Sequence, residues 1–189
     1  MLLCAFKLLS MKKILCISGS LRPTSTNTNI LKSIPHLTKW PDLSFSLYEG
    51  LDQLPYFSPE LDYEGATPSA SVADLRAQLK TADAVIVCTP EYAFGVPGVL
   101  KNALDWIVSS GEFVNKPTAV ISASPMMTGG DKANASLVQT LKVMTAAITD
   151  DRILIIPTIR TKIDATGNII DEALKKELIK IVDSLNSSI

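Results

Sequence analysis

Residues 18–28 read SGSLRPTSTNT, a run of hydroxyls with one carboxamide, Asn27, and one cation, Arg22. Hydroxyl donors, a guanidinium and the unpaired N–H groups of a following helix can together replace the water shell of a terminal phosphate, whose charge is about −2. The stretch is not GxGxxG, so a dinucleotide pyrophosphate fits it poorly. It is not GxxxxGK[ST], so it lacks the lysine and magnesium ligand of nucleotide hydrolysis. Taken alone, the loop is also explained as a Ser/Thr-rich capping turn.

Two further stretches carry chemistry. Residues 89–106 read TPEYAFGVPGVLKNALDW. Their prolines and glycines stiffen a turn whose N–H groups would suit a planar heterocycle with carbonyl and imide edges, and Tyr92 and Phe94 offer stacking area. Residues 122–133 read SASPMMTGGDKA, where Gly129 and Gly130 would allow close backbone approach to a ligand. The single histidine, His36, follows Pro35 and reads as a surface residue; with one histidine, neither a histidine metal cluster nor more than a coincidental Ser-His-Asp triad is available.

All three stretches follow apolar runs. Ile14–Ser18, Leu43–Leu47, Ala84–Thr89, Thr118–Ser122 and Ile153–Pro157 are continuous rather than alternating, which predicts strands covered on both faces of a parallel sheet. Helical stripes fill the gaps: Val72, Leu75 and Leu79; Leu100, Ala103, Leu104, Ile107 and Val108; Leu137, Leu141, Met144 and Ile148; Leu174, Leu178, Ile181, Val182 and Leu185. A first helix over Ile30, Leu31 and Ile34 should kink or stop at Pro35. The alternation specifies an open α/β fold with ligands beyond the carboxyl ends of the strands. The Pro- and acid-rich segment 48–68 reads as an ordered excursion or lid.

Composition narrows the function classes. Eighteen basic and nineteen acidic side chains give a net charge of −1, so neither nucleic acid nor an anionic membrane has electrostatic support as a partner. No apolar run is long enough to cross a bilayer. Cys16 and Cys88 sit inside apolar runs and Cys4 is isolated, a pattern of buried thiols in a reducing compartment, and a cytoplasmic setting is expected. Residues 1–10, MLLCAFKLLS, precede Met11-Lys12-Lys13 and read as an upstream extension, possibly not native, with one domain over 11–189.

GSLRPTSTN at 19–27, followed by PEYAFGVPGVLKNALDW at 90–106, resembles the NADPH-dependent FMN reductase family, which includes quinone, azo-dye and chromate reductases. The resemblance covers about residues 11–186. It implies a flavodoxin-like three-layer α/β sandwich with a five-stranded parallel sheet in the order 2-1-3-4-5. It also implies bound FMN, NADPH or NADH as electron donor, a small-molecule acceptor, and assembly as a homodimer or homotetramer. By the same resemblance Ser20, Arg22, Ser25, Thr26 and Asn27 hold the FMN phosphate and ribityl chain. Pro90, Glu91, Tyr92 and Ala93 border the isoalloxazine, and Ser124, Gly129 and Gly130 close its other side. No side chain need act as a catalytic residue, because the flavin carries the chemistry; Glu91 reads more readily as a positioning or helix-capping carboxylate than as an acid or base. Ala93 stands where the family often has Asn, and the following Phe-Gly-Val is more apolar than usual. The alternative from another class is an FMN-binding electron carrier or regulatory protein.

Overall fold

In a computed structural model describing residues 11–189, the apolar runs become five strands: β1 (Lys12–Ser18), β2 (Leu43–Tyr48), β3 (Ala84–Thr89), β4 (Thr118–Ala123) and β5 (Ile153–Ile156). Every neighbouring pair is parallel, in the order β2-β1-β3-β4-β5. A helix follows each strand: α1 (Thr26–Ser33), α2 (Ala70–Thr81), α3 (Gly98–Asp105), α4 (Asp131–Val143) and α5 (Glu172–Asn186). The continuous apolar runs have the expected cause, since every residue of β3 and β4 is buried, while the edge strands β2 and β5 keep exposed positions. Residues 1–10, read from sequence as an upstream extension, lie outside the described residues.

The period of two along each strand sorts its side chains into two cores. Leu15, Ile17, Val85, Val87 and Val120 face α2, α3 and α4. Ile14, Cys16, Ile86, Cys88 and Ile121 face α1 and α5. Helices thus cover both sides of the sheet, which is the three-layer arrangement the resemblance implies.

Two helix ends differ from the apolar pattern. Helix α1 stops at Ser33, and Pro35 sits in a 3-10 turn at Ile34–His36, because proline has no N–H for another helical bond. Helix α3 ends at Asp105, so Ile107 turns into the core while Val108, expected on the apolar stripe, is 63% exposed.

The excursion between β2 and α2 is fastened at two places. Trp106 Nε1 and Asn102 Nδ2 donate to the Pro55 carbonyl at 2.8 and 3.0 Å, and Asn102 Oδ1 accepts from Phe57 N at 2.8 Å. Further on, Asp62 accepts from Arg76 at 2.8 Å and from the Ser109 hydroxyl at 2.6 Å. Positions 102 and 106, at and just past the end of α3, fall on one side and make the first fastening, while Arg76 of α2 and Ser109 make the second.

Candidate functional site

Beside β1 the chain reverses direction across the sheet. Helix α1, after β1, packs on one side and α3, after β3, on the other, so their connecting loops diverge and leave a crevice at the strand ends. Gly19 N donates to Cys88 O at 2.8 Å, joining the two strand exits. A Cβ on Gly19 would lie 3.0 Å from Leu100 Cδ2 and 3.1 Å from Thr89 Oγ1, so only a bare backbone lets the exits sit this close. A cavity of about 270 Å³ opens above them. Its lining comes from three loops: Ser20, Arg22, Ser25, Thr26 and Asn27 after β1; Pro90, Glu91 and Tyr92 after β3; Ser124, Pro125 and Met126 after β4, with Ala123.

The polar groups of the first loop divide into engaged and free. Ser25 is the N-cap of α1, its hydroxyl accepting from Thr28 N at 3.3 Å. Ser18 and Thr28 bond to each other at 2.7 Å. The Asn27 carboxamide, 3% exposed, turns into the protein: Nδ2 donates to Ala123 O at 3.4 Å, and Oδ1 accepts from Cys88 Sγ at 3.3 Å. Its side chain therefore ties α1 to the ends of β3 and β4, while the residue still borders the cavity. Ser20 Oγ accepts from Arg22 N at 3.3 Å and keeps its own proton to donate. The Arg22 guanidinium and the Thr26 hydroxyl have no hydrogen-bond or ion-pair partner among the described residues. The available set is thus a guanidinium, the hydroxyls of Ser20, Ser25 and Thr26, and the first turn of α1, and its chemistry fits an anion such as a phosphate.

Glu91 is accounted for by a helix. Its Oε2 accepts from Lys132 N and Ala133 N, both at 2.9 Å, so the carboxylate caps α4 where Gly130 offers no side chain. This is the capping role favoured from sequence, and it leaves the backbone of residue 91, rather than its charge, for the cavity. Tyr92 follows and is half exposed at the rim. Tyr92 N donates to Gly95 O at 3.1 Å and Gly95 N to Tyr92 O at 3.0 Å, closing a two-residue turn in which Ala93 has φ 48° and Phe94 φ 59°. Positive φ at both central residues defines a type I′ turn, a shape that favours Asn-Gly. The Asn often found at position 93 in the family thus has a conformational use here, since Asn tolerates this region better than Ala. Ala93 itself is at the exposed tip and does not line the cavity.

In the third loop Ser124 lines the cavity, its hydroxyl accepting from Met126 N at 3.1 Å. Gly129 and Gly130 are not among the residues that line it. Gly129 has φ 64°, and a Cβ there would lie 2.6 Å from Ile155 Cγ2 and 2.9 Å from the Ile156 carbonyl carbon. Its bareness serves packing against the end of β5. Gly130 has φ 84° and begins α4.

Pattern reading gave no role to Asn102 or Met126, and it read Trp106 at least as readily as core as partner-facing; the side chain is buried. Asn102 and Trp106 carried a usable signal, an amide and an indole N–H spaced four residues apart, both needing partners. Met126 carried none. His36 is exposed, as expected. Among the described residues no three His, Cys, Asp or Glu side chains gather to hold a metal, and no helix is long and apolar enough to cross a membrane.

Comparison with known proteins adds to this geometry. The family profile described as NADPH-dependent FMN reductase matches residues 12–160. An NAD(P)H-dependent FMN reductase of Pseudomonas aeruginosa is 34% identical over 170 residues, covering 89% of each chain. A 2-hydroxy-1,4-benzoquinone reductase of a Burkholderia species is 33% identical, covering 90% of this chain and 92% of its own. Among solved structures, a flavoenzyme NAD(P)H:(acceptor) oxidoreductase of Paracoccus denitrificans superposes with a TM-score of 0.80 at 30% identity, covering 93% of this chain and 96% of its own. The motif pair, the sheet order and these matches agree, and the chain belongs to the NADPH-dependent FMN reductase family of oxidoreductases.

Proposed function

We propose that this reductase binds FMN in the three-loop cavity and passes electrons from NAD(P)H to a small-molecule acceptor of the quinone type. The single observation that carries the assignment of the site is the donor set of the first loop, where Arg22 and Thr26 have no side-chain partner among the described residues and the Ser20 and Ser25 hydroxyls accept but keep their own protons to donate. FMN, when bound, supplies the electron-transfer chemistry between nicotinamide and acceptor. In this reading Arg22, Ser20, Ser25, Thr26 and the N-terminus of α1 hold the phosphate, with Asn27 beside the ribityl chain. Pro90, Tyr92 and Ser124, with the backbone at Glu91, border the ring. No side chain is assigned a nucleophilic or acid–base role. The quinone class is supported by the Burkholderia relative, a 2-hydroxy-1,4-benzoquinone reductase.

We assign the chain to a homodimer or homotetramer. In support, Tyr56, Leu61 and Tyr63 are exposed on an excursion that is nevertheless fastened down, and Val108, Val114 and Val143 are exposed around a groove of about 540 Å³ beside α3 and α4. A reducing, cytoplasmic setting is proposed on Cys16 and Cys88, which are buried and unpaired; burial pushes the Cys16 thiol up to about 12.

The test is direct. The purified protein, reconstituted with FMN and desalted, retains a flavin absorption band that bleaches on anaerobic addition of NADPH. Absence of the band removes the site assignment, and a band that does not bleach removes the reductase activity.

A further inference from the structure

We propose that Phe94 determines acceptor specificity, its ring and the methionines of the loop after β4 forming an apolar mouth that prefers planar, uncharged aromatic acceptors to small charged ones. The proposal rests on the FMN-site reading above.

The argument starts from a cost with no visible return inside the chain. Ala93 and Phe94 both hold positive φ, where a residue with a Cβ is disfavoured, at the two positions of a type I′ turn that suit Asn-Gly. Burial does not offset that strain, because Phe94 is 78% exposed. Strained non-glycine backbone concentrates where function over-determines it, and the inference runs from the outlier to the role. The place of the turn says which role: Tyr92, the residue that opens it, lines the cavity, so the turn stands beside the cavity.

The loop after β4 supplies a matching surface. Met126 lines the same cavity, and Met126 and Met127 are 66% and 81% exposed. Thioethers and aromatic rings form an adaptable apolar surface that takes up flat apolar molecules. The free cation of the cavity, Arg22, belongs to the loop after β1 and is assigned to the phosphate, so neither Phe94 nor the methionines offer a charge to an oxyanion.

The overall reaction at this mouth is balanced with reactants already named. One NAD(P)H and one proton reduce one quinone to one hydroquinone, giving NAD(P)⁺.

The experiment compares 1,4-naphthoquinone with ferricyanide, a charged acceptor with no ring to stack, on FMN-loaded enzyme with NADPH as donor. In Phe94→Gly the ratio of kcat/KM for naphthoquinone to that for ferricyanide falls about tenfold, the size expected for one lost aromatic contact. Phe94→Tyr keeps the ring and restores the ratio. Two readouts do not depend on turnover. The redox-inert 1-naphthol binds the oxidised holoenzyme more weakly in Phe94→Gly, by calorimetry. The FMN-free Phe94→Gly and Ala93→Asn proteins melt a few degrees higher than wild type, because each fits the turn better. An unchanged acceptor ratio overturns the proposal, and so does an unchanged melting temperature. A change in assembly size with no change in ratio also overturns it, assigning the ring to a subunit interface. If NADPH does not bleach the wild-type flavin, the reductase reading fails by itself, and naphthol binding still decides the mouth.

Discussion

The loops after β1 and β3 line one cavity but are held in opposite ways. The first is relaxed: Ser25 caps its helix, Ser18 and Thr28 bond each other, Asn27 is locked inward, and Arg22 and Thr26 are left free. The second is strained, with two non-glycine residues at positive φ, and its one carboxylate is engaged at α4. An anion needs fixed donors that lack other partners, so a well-capped loop suits it. A planar ring needs surface, which a strained turn can display. The number of polar residues in a loop is therefore a poor guide to its ligands; the number left without a partner is a better one.

The largest expected effect tests positive φ itself. Gly129 and Ala93 have similar φ, 64° and 48°, yet Ala93 stands at an exposed tip while a Cβ at 129 would meet Ile155 and the backbone of Ile156. Gly129→Ala should cost about 2–5 kcal/mol from overpacking and left-handed strain together. That is a fall in melting temperature on the order of ten degrees, read by thermal denaturation. FMN affinity of the folded fraction should stay near wild type; a selective loss of FMN affinity without loss of stability would return Gly129 to the ligand.

Next comes the free cation. Arg22→Ala should weaken FMN by roughly ten- to a hundredfold, for a charge-assisted contact of about 1.5–3 kcal/mol. Riboflavin, which shares the ring but lacks the phosphate, should bind Arg22→Ala and wild type alike. Fluorescence titration of two flavins against two proteins separates the cases, and equal weakening of both flavins would make the loop structural.

A smaller effect concerns Glu91. Glu91→Gln keeps the shape but removes the charge at the start of α4, and should cost about 0.5–1 kcal/mol by chemical denaturation. A large loss of reductase activity with stability unchanged would instead make the carboxylate a participant in the reaction.

The smallest effect lies beside the first loop. Arg22 and Tyr48 also border a second cavity of about 300 Å³, and the buried Tyr48 hydroxyl has no hydrogen-bond partner among the described residues. Burial first, then Asp74 and Asp52, pushes this phenol up to about 12 from an ordinary 10. Between those values the unfolded chain releases its proton while the folded chain keeps it, so stability falls as pH rises from 10 towards 12. Tyr48→Phe should flatten that slope and at neutral pH gain up to about 1 kcal/mol, since it removes an unsatisfied group. A clear loss of stability at neutral pH would show that the hydroxyl has a partner, such as an ordered water.

Much of this was legible from residue order. The apolar runs and helical stripes predict strands and helices in the observed sequence, and Pro35 marks the end of α1. The paired motifs locate two of the three loops that meet at the cavity. What residue order left open has a common cause. Gly129 signals only that a Cβ is unwelcome and not what excludes it, which turned out to be β5. Asn27 shows a donor and an acceptor but not their partners, which are on β3 and β4. Val108 fits a helical stripe that the chain leaves at Asp105.

Local chemistry therefore settles what does not depend on distant partners: burial of the central strands, the capping chemistry at Ser25, and a cluster of hydroxyls around one cation, Arg22. Tertiary structure alone decides how those groups are divided. Glu91 reaches the N-terminus of α4, Asn102 and Trp106 reach Pro55, and Asn27 reaches Ala123, each across a stretch of chain that pattern reading cannot bridge. A buried polar group takes whichever partner the packing brings within hydrogen-bond distance, and only the groups left over are free to meet a ligand.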